Sequence, residues 1–278
     1  MNKIFYRLLI VLLMIFSFYY TNKMIEFLRE SDPIMKDIKK TSSKYKIDSV
    51  NALIVGNNII PGKKGKDIDY KKSYSKMKQY GMYNEVLTIL KDVKPVVSID
   101  DNYDKYIVSG NREKRCVSLV FKVYKNTNID SILKILEDKK IQANFFIDGT
   151  YLENNILKLK NMKNHELEIL SYDNSYDKSL FETSISYLEN VIGKGVKYCY
   201  SENNMEVLNL CSKLKLHTIM PSLIIKNNLY REVKNNLNNS IIISIDVNNY
   251  NIKELNSVID YINGKGYKIV LLSDLLSE

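Results

Sequence analysis

Hydrolytic metal chemistry takes about three nitrogen, oxygen or sulfur ligands and leaves one position open for water. The chain of 278 residues has two histidines, His165 and His217, which lie 52 positions apart. No H-x-x-x-H pair therefore offers two imidazoles from one helical face. Cys116, Cys199 and Cys211 are odd in number and lack C-x-x-C spacing, so they predict neither a disulfide framework nor a thiolate metal site. Metal-free hydrolysis would instead need a nucleophile beside a tuned base. Ser118, Ser171, Ser201 and Ser244 lack the G-x-S-x-G frame and read as strand or cap hydroxyls. His217 sits between a lysine-rich helix end and the apolar Thr218-Ile219-Met220, and reads as a helix-terminal or strand-start histidine. Asp100 and Asp101 in SIDDNYDK read as a polar turn rather than a carboxylate dyad. The stretch GNNIIPGKKGK at 56–66 does not have the glycine and lysine spacing of a P-loop.

Any site must be positioned by the elements around these residues, and the amino terminus sets the compartment. Lys3 and Arg7 precede LLIVLLMIFSFYY at 8–20, with no further charge before Lys23. Thirteen uncharged residues are short for a span, which takes about 20. Ile4 to Tyr6 extend the run if Arg7 snorkels, and Tyr19 and Tyr20 suit the far interface. A transmembrane helix over 4–22 within a 1–23 signal anchor is expected. A cleaved signal peptide and a buried soluble helix stay open as alternatives, although no small-x-small site follows the apolar run. With the basic end inside, the rest of the chain faces outward.

Residues 24–48 are charged and broken by Pro33, which predicts a stalk. Residues 49–114 predict a small α+β region, with strands near 52–55, 86–90, 95–99 and 106–108 around a helix at 70–80. From Pro61 to Lys78 seven lysines face two aspartates, a local +5 within a net charge of +9, which reads as a solvated basic face. Across 115–278, strand-type and helix-type runs alternate about seven times, the pattern of an α/β fold with a parallel sheet. That length is compact for a closed eight-fold barrel of about 250 residues. A distorted (β/α) barrel of about seven strands is expected, with its chemistry at the carboxyl ends of the strands.

The segments VSLVF (117–121), ANFFIDG (143–149), HELEILSY (165–172), YSENNMEVL (200–208), SIIISID (240–246) and GYKIVLLSDLL (266–276) follow one another in the order of a known family. Over about 160 residues this part of the chain resembles the polysaccharide deacetylase, or NodB-homology, domain of carbohydrate esterase family 4, whose members remove acetyl groups from N-acetylated sugars. The resemblance implies a metal-dependent hydrolase fold in which motif residues can be placed one by one. Where T-F-D-D-G supplies a base and a metal ligand, Lys122 and Val123 stand. Where G-H-E-I-G-N-H-S-x-S-H supplies two metal histidines, Leu170 and Asn174 stand, and His165 matches the non-ligand histidine. R-P-P-Y-G becomes Lys197, Tyr198, Cys199, Tyr200 and Ser201. Ile245 replaces the late histidine before Asp246, and Pro221, Leu223 and Ile224 fall where a tryptophan and an aspartate are usual.

With those positions lost, neither catalytic nor metal-ligating residues and no cofactor are expected. The predicted binding residues are Lys122, Asn174, Lys197, Tyr200 and Asp246. The expected function is a non-catalytic pseudoenzyme, anchored outside the membrane, that binds a cell-wall glycan or an envelope protein. An active N-deacetylase using zinc or another divalent metal is the alternative. Nucleic acid is not an expected partner, because no reader motif accompanies the lysines.

Overall fold

The computed structural model describes residues 2–247 and 252–278. The chain begins with α1 (Asn2–Ser31) and α2 (Pro33–Thr41), followed by β1 (Leu53–Val55), β2 (Asn58–Ile60), β3 (Gly65–Ile68), α3 (Tyr70–Gln79), β4 (Leu90–Val93) and β5 (Tyr106–Ile107). It continues with β6 (Cys116–Val123), α4 (Asp130–Asp138), β7 (Asn144–Ile147), α5 (Gly149–Asn154), α6 (Ile156–Lys160), β8 (Glu166–Ile169) and α7 (Lys178–Ile192). The last elements are β9 (Tyr198–Tyr200), α8 (Met205–Lys213), β10 (His217–Ile219), β11 (Leu223–Ile225), α9 (Leu229–Asn236), β12 (Ile242–Asp246), α10 (Ile252–Gly264), β13 (Lys268–Ile269) and α11 (Leu272–Leu275). Contacts divide the chain into two compact units, residues up to Ser49 with Lys64–Val93, and Val50–Lys63 with Lys94–Glu278. The expected 49–114 region is thus shared between them.

In the first unit, α1 includes the one helix among the described residues that is long and apolar enough to cross a membrane, Phe5–Ser31, with mean hydropathy 1.7. The expected stalk is different. α1 continues to Ser31, Asp32 caps α2 by accepting the Ile34 N–H at 2.9 Å, and Pro33 takes the first helical turn, where its missing N–H costs nothing. Ile34, Met35 and Ile38 bury one face of α2. Ile34 and Ile38 form a small core with Ile68 and Met77, beside the antiparallel pair β3–β4. The strand expected at 86–90 is a 3-10 turn, Glu85–Leu87, followed by β4. No strand forms at 95–99, where the Asn51 side chain accepts the Val96 and Val97 N–H groups.

The second unit is a curled, half-barrel sheet in the order β1-β2-β5-β10-β9-β8-β7-β6-β12-β11, with β13 on the early part of β6. From β2 to β11 every neighbouring pair is parallel. Strand side chains alternate between the two faces. On β6, Val117, Leu119, Phe121 and Val123 join the core under the helices, while Val120 joins a second core on the other face of the sheet. The phase repeats across the sheet: Phe145, Leu167, Ile169, Cys199, Ile243 and Ile245 face the helices, and Phe146, Leu170, Tyr198, Tyr200 and Ile242 face inward. The helix over 129–140 forms as α4, with Ile132 and Leu136 buried. The run YLENNILKLK is two short helices, α5 and α6, meeting at Asn155. The reading of the cysteines is corrected. Cys199 on β9 and Cys211 on α8 are joined by a disulfide, with Cα atoms 6.5 Å apart, because the βα unit folds back on itself and brings residues 12 apart together.

Candidate functional site

At the carboxyl end of β6 the period-2 rule turns Lys122 inward. Its Nζ donates to Glu202 Oε1 at 2.9 Å and lies 5.6 Å from the centre of the Tyr200 ring. The Tyr200 hydroxyl is 3.0 Å from the same Glu202 oxygen and 2.9 Å from Ser244 Oγ. Lys122 is only 8% exposed, and a buried ammonium without a partner is penalised by several kcal/mol. Glu202 supplies that partner. Burial alone would raise the Glu202 carboxyl, but the hydrogen bond and charge of Lys122, with the Tyr200 hydroxyl, outweigh it and hold the group below the usual carboxylate range.

Lys122, Tyr200 and Glu202, with Tyr124, Leu170, Asn174 and Tyr176, line a cavity of ≈ 390 Å³. Burial, helped by the charges of Asp246, Glu202 and Asp148, pushes the Tyr124 phenol up to about 12. Burial raises Tyr176 and Tyr200 as well. All three are therefore neutral near pH 7 and offer aromatic faces and hydroxyls rather than a base. A second cavity of ≈ 420 Å³, lined in part by Asp148, Thr150 and Asp173, shares Tyr124 and Asn174 with the first.

Sequence reasoning missed Asp148. It is 1% exposed, and its carboxylate accepts from Thr150 N at 3.0 Å, Thr150 Oγ1 at 2.6 Å, Ser171 Oγ at 2.5 Å, Asp173 N at 3.1 Å and Asn174 N at 3.3 Å. One side chain thus caps α5 and also holds the turn at 173–174. Both residues of that turn have left-handed backbone, φ 48° at Asp173 and 58° at Asn174, which side chains other than glycine adopt at a cost. The available signal was an aspartate between an apolar strand and a helix start, the N-cap position of FFIDGTYLE. Gly149 follows because a Cβ there would come within 2.4 Å of Ser184 and Tyr172 side-chain atoms.

Lys122, Leu170, Asn174 and Tyr200 converge on one cavity. Lys197 does not. It is exposed before the amino end of β9, where its N–H donates to Glu168 at 2.8 Å. Three residues of strand span about 10 Å and change face, so Lys197 and Tyr200 occupy opposite ends. Asp246 ends β12 in register with Lys122 and is half-buried beside the cavity without lining it. Val123 and Ile245 are in the helix-facing phase and pack in the core.

Both histidines lie at amino ends of strands. His165 precedes β8, where its Nδ1 accepts the Ala143 N–H at 3.2 Å. His217 opens β10 and stacks on Tyr103 with ring centres 4.4 Å apart; burial lowers its pKa, against the opposing charges of Asp100 and Glu278. The serines are held in structural bonds: Ser118 to Val270 O and Asn144, Ser171 to Asp148, Ser201 to the N–H of Asn204, and Ser244 to Tyr200. Asp100 sits in a 3-10 turn capped by Ser98. A larger cavity of ≈ 730 Å³ lies beside His165, between α4 and α6, away from the carboxyl ends of the strands.

A divalent metal does not fit the strand-end cavity. Among the described residues no group of three His, Cys, Asp or Glu side chains could hold one, and the Lys122 ammonium occupies the end of β6, where a cation would be repelled.

Comparison with known proteins agrees with this architecture. Residues 109–218 match the polysaccharide deacetylase family, so the domain resemblance read from the motifs is borne out. The uncharacterized protein YlxY of Bacillus subtilis (strain 168) is 25% identical over 275 residues, covering 89% of this chain and 84% of that protein. The fold is also that of BA3943, a CE4 family pseudoenzyme from Bacillus anthracis, at TM-score 0.66 and 22% identity over 89% of this chain and 96% of that one. A mutant of BA3943 described as having restored enzymatic activity has the same TM-score. Bacillus subtilis PdaA, a family 4 carbohydrate esterase, matches at TM-score 0.55 and 15% identity over 63% of this chain and 86% of its own.

Proposed function

We propose that this chain, with a polysaccharide-deacetylase domain over 109–218, is a membrane-anchored, non-catalytic glycan-binding protein facing the cell wall. One observation carries the reading: the strand-end cavity is built, but the Lys122–Glu202 ion pair occupies it where hydrolysis would need a metal and a free base. The tyrosine faces suit stacking on sugar rings, and Lys122, Glu202 and Asn174 offer donors and acceptors for hydroxyl and acetamido groups. Asp246 and the shared edge at Tyr124 extend the candidate surface toward the second cavity. Residues 4–22 would anchor the chain, with Lys3 and Arg7 on the inner side.

Titration of the full-length chain in detergent with peptidoglycan oligosaccharides, followed by calorimetry, tests this function. Saturable binding is expected, weakened about tenfold or more by Lys122→Met, which removes one buried charged hydrogen-bond partner. Absence of binding would leave an envelope protein as the partner. Stoichiometric zinc together with acetate release would replace this reading with that of an active N-deacetylase.

A further inference from the structure

The net charge is unevenly held. The first unit has sixteen lysines and arginines against nine aspartates and glutamates, 16 minus 9 or +7, and the second has 25 against 23, or +2. The apolar helix Phe5–Ser31 has 27 residues, about 40 Å at 1.5 Å per residue, and exceeds a hydrocarbon core of about 30 Å. From Lys23 onward it rises about 13 Å through the headgroup zone, with Met24, Ile25, Phe27 and Leu28 exposed along it.

No linker follows. Asp32, next after α1, caps α2, and its carboxylate also accepts Lys78 Nζ at 2.6 Å and the Tyr74 hydroxyl at 3.1 Å. The hydrogen bond from Lys78 holds that carboxyl below its ordinary range, so the clamp persists at neutral pH. α3 is therefore fastened to the membrane-proximal end of α1. It buries Ser73 and Met77 and exposes Lys71, Lys72 and Lys76. One helical turn beyond Lys76, a turn through Gly81 at φ +72° leaves Tyr80 65% and Met82 64% exposed. An aromatic and aliphatic tip flanked by lysines has the chemistry of a membrane interface: the rings enter the headgroup layer and the ammonium groups meet phosphate.

We propose that the basic face of α3 and the Tyr80–Met82 turn bind anionic phospholipid headgroups of the same membrane that α1 spans, which rests on the anchor reading above. A soluble wall polyanion would satisfy the lysines but not the apolar tip, and the Asp32 clamp keeps α3 within reach of lipid.

The chain has no tryptophan, so Tyr80→Trp gives the full-length protein a single tryptophan, which is excited selectively at the red edge of its absorption, where tyrosine does not absorb. The variant is placed in lipid nanodiscs containing brominated phosphatidylcholine, with or without about 30% phosphatidylglycerol. Quenching at least about twofold stronger in anionic discs is expected, removed by about 0.5 M salt and by adding Lys71→Gln, Lys72→Gln and Lys76→Gln. Equal quenching in both discs, or none in either, would overturn the proposal. So would an emission shift caused by polyglycerol phosphate in neutral discs but not by anionic lipid, which would make the wall polymer the occupant. Failure of the protein to enter discs at all would instead overturn the anchor reading.

Discussion

At the residue scale, two side chains shape the strand-end cavity by opposite means. Lys122 is held by a single strong partner, whereas Asp148 is held by five donors from two loops. A carboxylate has two oxygens with about four lone-pair positions, and an amide has only one acceptor oxygen. Asp148→Asn keeps the shape but leaves buried donors unpaired, at about 1–3 kcal/mol for such groups. A loss of about 2–4 kcal/mol is expected, measured by denaturant unfolding, with proteolysis accelerated at 171–174. A stability unchanged from the parent would show that the turn does not depend on this carboxylate. The sequence displayed Asp148 openly as a cap. It could not display the second set of donors, which come from residues more than twenty positions later.

At the element scale, the site is carried by turns after β6, β7, β8 and β9, and the turn after β9 is the one with a covalent brace. The Cys199–Cys211 disulfide joins β9 to α8 and closes over the segment that carries Glu202 and Asn204. Cross-linking a loop of this size restricts the unfolded chain and adds about 3 kcal/mol. Reduction, or Cys199→Ser with Cys211→Ser, is expected to lower the unfolding free energy by about that amount. Three free thiols titrated in denaturant without reductant, in place of the one expected from Cys116, would contradict the brace. Spacing rules missed this pair because they describe local motifs, and the bond depends on how a helix packs back on its own strand. The same limitation placed Lys197 in the cavity: its motif position was legible, but the direction and reach of three strand residues decided otherwise.

At the scale of the whole molecule, the second unit is closed by polar links across the sheet and at its carboxyl end. Glu278 accepts the N–H groups of Gly62 and Ile99 at 2.9 and 3.2 Å, and Lys114 Nζ donates to the carbonyls of Asp274, Leu275 and Ser277. Glu168, buried on β8, accepts the N–H groups of Lys197 and Tyr198 before and in β9. Burial dominates those hydrogen bonds and pushes its carboxyl up to about 8. For an acid raised in the folded state, the folded chain retains a proton that the unfolded chain releases, so the stabilisation is complete below the ordinary glutamate pKa. It is lost as pH rises toward about 8. Unfolding free energy is expected to fall by a few kcal/mol, to order of magnitude, between about pH 5 and pH 8. Glu168→Gln should flatten that slope, and an equal slope in both proteins would exclude Glu168 as its source. Glu202 acts in the opposite sense, since its depressed carboxyl withdraws stabilisation only as the solution becomes acid.

The sequence by itself determined the alternation of strands and helices, the inward phase of Lys122 and Tyr200, the apolar amino-terminal helix and the lack of a histidine pair, because each follows from local periodicity or from composition. Tertiary structure alone decided that Glu202 neutralises Lys122, that Asp148 organises the 171–174 turn, that Cys199 meets Cys211, and that Lys197, Val123 and Ile245 stay out of the cavity. Those outcomes depend on which strand ends become neighbours and on which face each side chain takes there. Such distances are set by packing between residues far apart in the chain, and no local pattern records them.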